Sequence, residues 1–187
     1  MPDVVAETHN RLRIGGGEWR SRLLRFPDLP GLRPTPDRVR VTVFHWLGQD
    51  LHGLSCLDLF AGTGAMAFEA LSRGAAQAVL VERAAPACKA LRENRQLLQT
   101  DRAQIVHVDA LEFLQQSRQR FDVIFLDPPY HQGWLPKLLP QMQAHLNPQG
   151  RLYVEAEYRV DEAEGWHIRK HGKAGNVFFH LLESAHE

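Results

Sequence analysis

The chain of 187 residues has only two cysteines, no formal net charge and no apolar run long enough to cross a bilayer. Cys56 and Cys88 sit in apolar strand-like and helix-like contexts, with no CxxC and no fixed histidine spacing. That excludes a zinc site and a disulfide framework, and leads us to expect packed free thiols in a reducing cytoplasm. The ten histidines are scattered without an HExxH or paired-ligand spacing, so no metal is read. No N-terminal apolar stretch resembles a signal peptide, which points to a cytoplasmic protein without a membrane partner. A full GxGxxG is missing and no Walker lysine follows the one glycine-bearing loop of interest. A pyrophosphate cradle, a P-loop and a nicotinamide oxidoreductase are therefore disfavoured. There are no repeats and no low-complexity tract.

What remains is an ordinary globular composition, 44% hydrophobic and 24% charged, enough for one domain with a sizeable core. The charge is unevenly distributed. Residues 11–40 hold eight arginines against three acids, Glu18, Asp28 and Asp37. Such asymmetry fits a basic arm that meets phosphates, and on charge alone it equally fits a solvated surface.

The first ten residues read as loosely ordered. Segments 11–15 and 18–24 read as two short strands around Gly15-Gly16-Gly17, followed by an irregular stretch marked by Pro27, Pro30 and Pro34. Thr35-Pro36-Asp37 is a helix start, with Thr35 as N-cap, and Val39, Val43, Phe44 and Leu47 form its apolar face. Residues 1–50 are thus an N-terminal hairpin and helix extension packed on a main domain of residues 51–187. In that domain, strands at 55–60, 77–82, 104–108, 121–126 and 150–155 alternate with helices at about 64–73, 85–99, 110–117 and 134–145. The alternation argues for an α/β fold with a parallel sheet covered by helices on both faces. Segments 166–171 and 177–183 add a terminal antiparallel hairpin at the sheet edge.

Four acids fall at or just after successive strand ends: Asp58, Glu82, Asp109 and Asp127. Ligands of open α/β sheets bind beyond the carboxyl ends of the strands. Asp58 precedes Gly62-Thr63-Gly64, whose glycines allow close backbone approach, and an acid above such a loop suits a cationic amino-acid ligand. Glu82 lies where Rossmann-like folds accept from ribose hydroxyls. Asp109 is placed to accept from an adenine amine, or simply to cap the helix at Ala110. Asp127-Pro128-Pro129-Tyr130 ends an apolar strand in an acid, two prolines and an aromatic. The carboxylate and carbonyls are acceptors, prolines contribute no competing N–H, and the tyrosine adds a flat face. This suits a planar ring carrying an exocyclic amine.

The stretch 55–82, with Asp109 and the Asp127–Tyr130 turn, resembles the class I S-adenosylmethionine-dependent methyltransferases, whose fold is a mostly parallel Rossmann-like sheet. More narrowly, Arg13-Ile14-Gly15-Gly16, the block Arg33-Pro34-Thr35-x-Asp37-Arg38-Val39-Arg40 and Asp127-Pro128-Pro129-Tyr130 resemble the RsmD family of 16S ribosomal RNA guanine-N2 methyltransferases. The resemblance implies S-adenosylmethionine as cofactor, its methionine moiety lined by Asp58, Phe60, Ala61, Gly62, Thr63 and Gly64. It implies Glu82 and Arg83 at the ribose, Asp109 and Ala110 at the adenine, and Asp127 through Tyr130 at the target amine and the methyl group. The chain departs from the family at Pro36, where threonine or serine is frequent, at Val41, where glutamate is, and at Arg83, where an acid is common.

The implied reaction is transfer of an activated methyl onto a guanine amine presented by Asp127 and the Pro128 carbonyl, with Tyr130 stacked on the base. The partner implied is ribosomal RNA, within an assembling or assembled small subunit. Arg11, Arg13, Arg20, Arg22 and Arg33 are expected at phosphates, and Arg38 and Arg40 toward the active-site mouth. Competing readings are an amine methyltransferase acting on DNA adenine or cytosine or on a protein glutamine, and a non-catalytic nucleotide- or RNA-binding module.

Overall fold

A computed structural model describes residues 10–186, so the expectation for the first residues lies mostly outside it. Strands β1 (Asn10–Arg13) and β2 (Leu23–Phe26) form a separate antiparallel pair with Arg11 opposite Arg25 and Leu12 opposite Leu24. The second strand begins later than the sequence suggests. Trp19 is buried and its N–H donates to Ser72 Oγ at 2.9 Å, which folds residues 17–22 into turns instead of a strand.

Helix α1 (Asp37–Leu47) carries the expected face, with Val39, Val43, Phe44 and Leu47 all buried. Its cap differs. Pro36 occupies the N-cap position without a side-chain bond, and the Thr35 hydroxyl turns instead to Glu155, at 3.3 Å. Proline at the cap holds an extended φ of −55° and ψ of 146°, which leaves Thr35 one residue too early to reach the first-turn N–H groups.

The main sheet has seven strands: β3 (Ser55–Asp58), β4 (Gln77–Glu82), β5 (Ala103–His107), β6 (Phe121–Leu126), β7 (Leu146–Ala156), β8 (Trp166–Ala174) and β9 (Val177–Ser184). Their order is β5-β4-β3-β6-β7-β9-β8. The first five run parallel, while β9 pairs antiparallel with both β7 and β8. The mostly parallel sheet and its terminal antiparallel hairpin are those expected from the sequence. Helices α2 (Ala65–Ser72), α3 (Ala85–Leu97), α4 (Ala110–Gln116) and α5 (Trp134–Met142) join the parallel strands. Strand β3 is two residues shorter than expected because Leu59 to Gly64 leave the ladder as a loop, and β7 begins four residues earlier, with Gln149 at a positive φ of 63°.

Successive side chains point to opposite faces of the sheet, and the core divides accordingly. Cys56, Leu80, Val123, Phe125 and Tyr153 pack with α1, α2 and the β1–β2 pair. Leu57, Val79, Ile124, Leu126 and Val154 pack with α4 and α5. Phe44 meets Phe125 with centroids 6.0 Å apart, and Trp46 stacks on Phe179 at 5.3 Å. Full burial of Phe44 and of Phe125 contributes roughly 1.5–3 kcal/mol each, and Trp46 is partly buried. Both cysteines are free and buried, and burial pushes the Cys56 thiol up to about 12. No helix among the described residues is long and apolar enough to cross a membrane.

Candidate active site

Strand order reverses between β3 and β6, and Asp58 and Asp127, at the ends of those two strands, border that switch point. Asp58 ends β3 and is 3% exposed. The loop after it is tied to the sheet by Leu59 N–H to Phe125 O, 3.2 Å, and Ala61 N–H to Val81 O, 2.9 Å. Gly64 starts α2 in the left-handed region, φ +81°, and a Cβ there would lie 2.6 Å from the Phe68 ring. Gly62, at φ +54°, has Leu32 across it, 3.3 Å from where a Cβ would be. The segment preceding α1 therefore roofs this loop. Glu82 closes β4 and accepts from Gly62 N–H at 3.2 Å and from Ala84 N–H at 3.4 Å, one on each carboxylate oxygen. Each oxygen keeps a lone pair for a further donor.

Asp109 caps α4: its Oδ1 accepts from Leu111 N–H at 2.9 Å. Its second oxygen is the one left for a ligand. Ala110 is buried behind it, and Arg83 is exposed, its carbonyl within 2.9 Å of His107 Nε2. Phe60 packs edge-on against Trp134 at 5.3 Å, so its ring supports the outer wall between the loop and α5.

The Asp127–Tyr130 turn follows β6. Pro128 is buried, Tyr130 is partly buried and Pro129 is exposed. A small pocket opens here between Pro129, Tyr130, Trp134, Glu155 and Tyr158. Beyond it His131, at φ +62°, is clamped by Glu157, whose two oxygens accept from the His131 N–H at 3.0 and 3.1 Å.

Electrostatically the site is a cluster of carboxyls with little solvent. Burial, then the Glu82 charge, pushes Asp58 up to about 7. Burial lifts Asp127 well above the carboxylate range, helped by the charges of Glu155 and Asp58 and by a hydrogen bond to Glu155. Glu155 is raised by its own burial, against which hydrogen bonds from Tyr153, Asp127 and Thr35 act. Burial and the Glu155 and Asp127 charges keep the Tyr130 phenol neutral far into the alkaline range. Such a surround favours a cationic ligand and a hydrogen-bond-donating amine.

Glu155 was missed by the sequence reading. Its signal was an acid inside Leu152-Tyr153-Val154-Glu155-Ala156, a fifth acidic strand end. Among the arginines, Arg11, Arg13, Arg20, Arg22, Arg33 and Arg38 are exposed. On β1, Arg11 and Arg13 flank buried Leu12 and so project away from the core. Arg40 does not belong with them. It is 3% exposed, donates through Nη1 to Arg13 O at 3.1 Å, and sits against Asp37 and the buried Glu69. Its helical position beside Val39 and Val43 turns it inward, so the expectation of an RNA-facing Arg40 at the active-site mouth is corrected to a structural ion pair.

The model of the family described as "Conserved hypothetical protein 95" matches residues 12–183. The chain is 38% identical over 178 residues to ribosomal RNA small subunit methyltransferase D of Escherichia coli, covering 92% of this chain and 90% of that one. It is 36% identical over 181 residues to the protein of the same name from Haemophilus influenzae, covering 92% and 94%. The solved structure of the Escherichia coli protein yhhF superposes with a TM-score of 0.84 at 37% identity, over 94% of this chain and 98% of that one. These likenesses establish that the chain belongs to the RsmD family of methyltransferases.

Proposed function

We propose that this chain transfers a methyl group from S-adenosylmethionine to the exocyclic amine, N2, of a guanine in 16S ribosomal RNA, in the cytoplasm and on an assembling or assembled small subunit. One observation carries the reading: the acceptor turn Asp127–Tyr130 stands at the switch point beside the Asp58–Gly64 loop, with a pocket opening against its tyrosine. The donor set fits this cofactor: buried Asp58 would face its cationic amino-acid end, and Glu82 and Asp109 keep acceptor capacity for hydroxyl and amine donors. Asp58, Phe60, Ala61, Gly62, Thr63 and Gly64 hold the methionine moiety, Glu82 and Arg83 the ribose, and Asp109 and Ala110 the adenine. S-adenosylmethionine supplies a methyl group already activated by its sulfonium.

The protein's task is then alignment. The guanine amine is a poor nucleophile because its lone pair is delocalised into the ring. Asp127 and the Pro128 carbonyl accept the two amine hydrogens, which turns the lone pair out toward the methyl carbon. Alignment of this kind supplies roughly 7–11 kcal/mol in favourable intramolecular cases. The nitrogen would gain the methyl as the carbon–sulfur bond breaks and neutral S-adenosylhomocysteine leaves, and would lose a proton, for which Asp127 is the adjacent acceptor. Tyr130 stacks on the base, worth about 1–3 kcal/mol. The base must leave its stack to reach the pocket, so an unpaired nucleotide is the easier substrate. We assign residues 1–50 to RNA capture, through Arg11, Arg13, Arg20, Arg22, Arg33 and Arg38, and residues 51–187 to the cofactor and the chemistry.

The test is transfer of labelled methyl to naked ribosomal RNA, to small-subunit particles and to duplex DNA. Label on RNA or particles is expected. Label on DNA alone would overturn the reading in favour of a DNA amine methyltransferase.

A further inference from the structure

We infer that Glu155 is a positioning residue for Asp127, and that the Thr35 hydroxyl locks it there from the N-terminal segment. The inference rests on the proposed role of Asp127 at the amine.

The sheet itself brings the two carboxyls together. Leu126 pairs with Val154 in the parallel ladder between β6 and β7. The next residues, Asp127 and Glu155, are therefore neighbours on the face that also carries Phe125 and Tyr153. That is the face under α1 and the segment before it. Glu155 is 5% exposed, and its Oε2 accepts from Tyr153 OH at 3.1 Å and from Thr35 Oγ1 at 3.3 Å. Thr35 is itself 6% exposed and Tyr153 fully buried. Asp127 stands beside it, one residue beyond the Leu126–Val154 pair on the neighbouring strand. Three separated parts of the chain thus converge on one carboxyl.

No Arg, Lys or His pairs with Glu155 among the described residues. A buried carboxyl without a cation is costly to keep, and an apolar residue would fill a strand interior at lower cost. Its retention beside the reacting turn needs a reason that packing does not supply.

Two carboxyls can bond directly only with a proton between them. Asp127 donates that proton to Glu155, which turns one Asp127 oxygen inward and leaves the other toward the opening as acceptor for the amine. As the nitrogen bonds to the methyl carbon, the carbon–sulfur bond breaks, the sulfur keeps the electron pair as the neutral thioether of S-adenosylhomocysteine, and the nitrogen releases one proton. Asp127 takes that proton on its outward oxygen and passes its own to Glu155. The pair goes from one proton to two and from one negative charge to none, and the methylated amine leaves neutral. Thr35 belongs to the Arg33–Arg40 block and Leu32 lies over Gly62, so the segment that roofs the cofactor loop also fixes the carboxyl pair. Ordering of that segment and alignment of the amine acceptor are one event.

The test compares Glu155→Gln, Thr35→Val, Thr35→Ser and the double variant T35V/E155Q in single-turnover methyl transfer at saturating RNA and S-adenosylmethionine. Dissociation constants for S-adenosylhomocysteine and RNA are measured alongside. E155Q is expected to lose at least tenfold in rate with both dissociation constants within about twofold of wild type. T35V is expected to lose at least threefold, T35S to recover most of that loss, and the double variant to be no slower than E155Q, because both changes act through one carboxyl. Wild-type rates in E155Q and T35V, losses that multiply in the double variant, or losses tracking weaker binding would each overturn the inference. If E155Q does not fold, equal rates in T35V and T35S overturn it alone. Asp127→Ala separates the two claims: an active D127A defeats the proposed function, whereas an inactive D127A beside a fully active E155Q defeats only the role of Glu155.

Discussion

The carboxylate of Glu69, on α2, receives the backbone N–H of Gly15 at 2.9 Å, and a Cβ on Gly15 would lie 2.8 Å from that same oxygen. The Gly16 N–H donates to the other oxygen of the same carboxylate at 3.3 Å. The Arg13-Ile14-Gly15-Gly16 stretch thereby acquires a physical reason: its glycines let the β1–β2 pair dock on a buried acid. Glu69 is 2% exposed, and Arg40 and Arg73 reach it at 3.8 and 3.7 Å.

Glu69→Gln therefore leaves the buried Arg40 with only the largely exposed Asp37 as counter-charge. The expected loss is about 3–5 kcal/mol of folding stability, read as a fall in the denaturant midpoint. A midpoint equal to wild type contradicts this placement of the arm.

Arg38 and Arg40 are two residues apart and should behave oppositely. Arg38→Ala is expected to weaken RNA binding across sequences and to reduce the slope of log affinity against log salt by about one unit or less. Arg40→Ala should lower the melting temperature, its effect on binding arising only through the loosened arm. Equal salt slopes for R38A and wild type would remove Arg38 from the phosphate contacts.

Much of the architecture was legible beforehand because β4 from Ala78 to Val81 and β6 from Val123 to Leu126 are apolar runs that lead into acids, and α1 shows its apolar face at helical spacing. The active-site acids stood at their strand ends for the same reason. Thr35 and Glu155 were not legible as a pair, since 120 residues separate them and only the sheet order brings them together. Pro36 took the cap position that local chemistry gives to Thr35. Arg40 was misplaced for a different reason. A run of arginines was read as charge, although the period that buries Val39 and Val43 also turned Arg40 inward. The Asp109 cap was foreseen as one of two roles, and the cap is the one its Oδ1 performs.

The buried acids should set how stability varies with pH. Asp58 is raised from 3.8 to about 7, so the folded chain holds this proton more tightly than the unfolded one. Its contribution to stability is full below about pH 4 and lost as pH rises through about 7. Asp58→Asn is accordingly expected to melt higher than wild type at pH 8, by at most on the order of 4 kcal/mol, and to bind S-adenosylhomocysteine more weakly. A lower melting temperature at pH 8 than wild type contradicts the charge crowding described here.

Tyr130 is assigned a stacking role, for which the ring matters and the hydroxyl does not. Tyr130→Ala should reduce RNA transfer efficiency by about 1–3 kcal/mol, roughly five- to 150-fold in kcat/KM, while Tyr130→Phe stays within a few fold of wild type. Equal losses in Y130A and Y130F would assign the work to the phenol instead.

The Asp127 turn is assigned the presentation of a 16S guanine amine for methylation. The most direct measurement is nucleoside mass spectrometry of 16S ribosomal RNA from cells lacking this protein, complemented with wild type or with Asp127→Ala. One N2-methylguanosine should be absent in the deletion, restored by wild type and still absent with D127A. An unchanged set of methylated guanines in the deletion, or restoration by D127A, would contradict it.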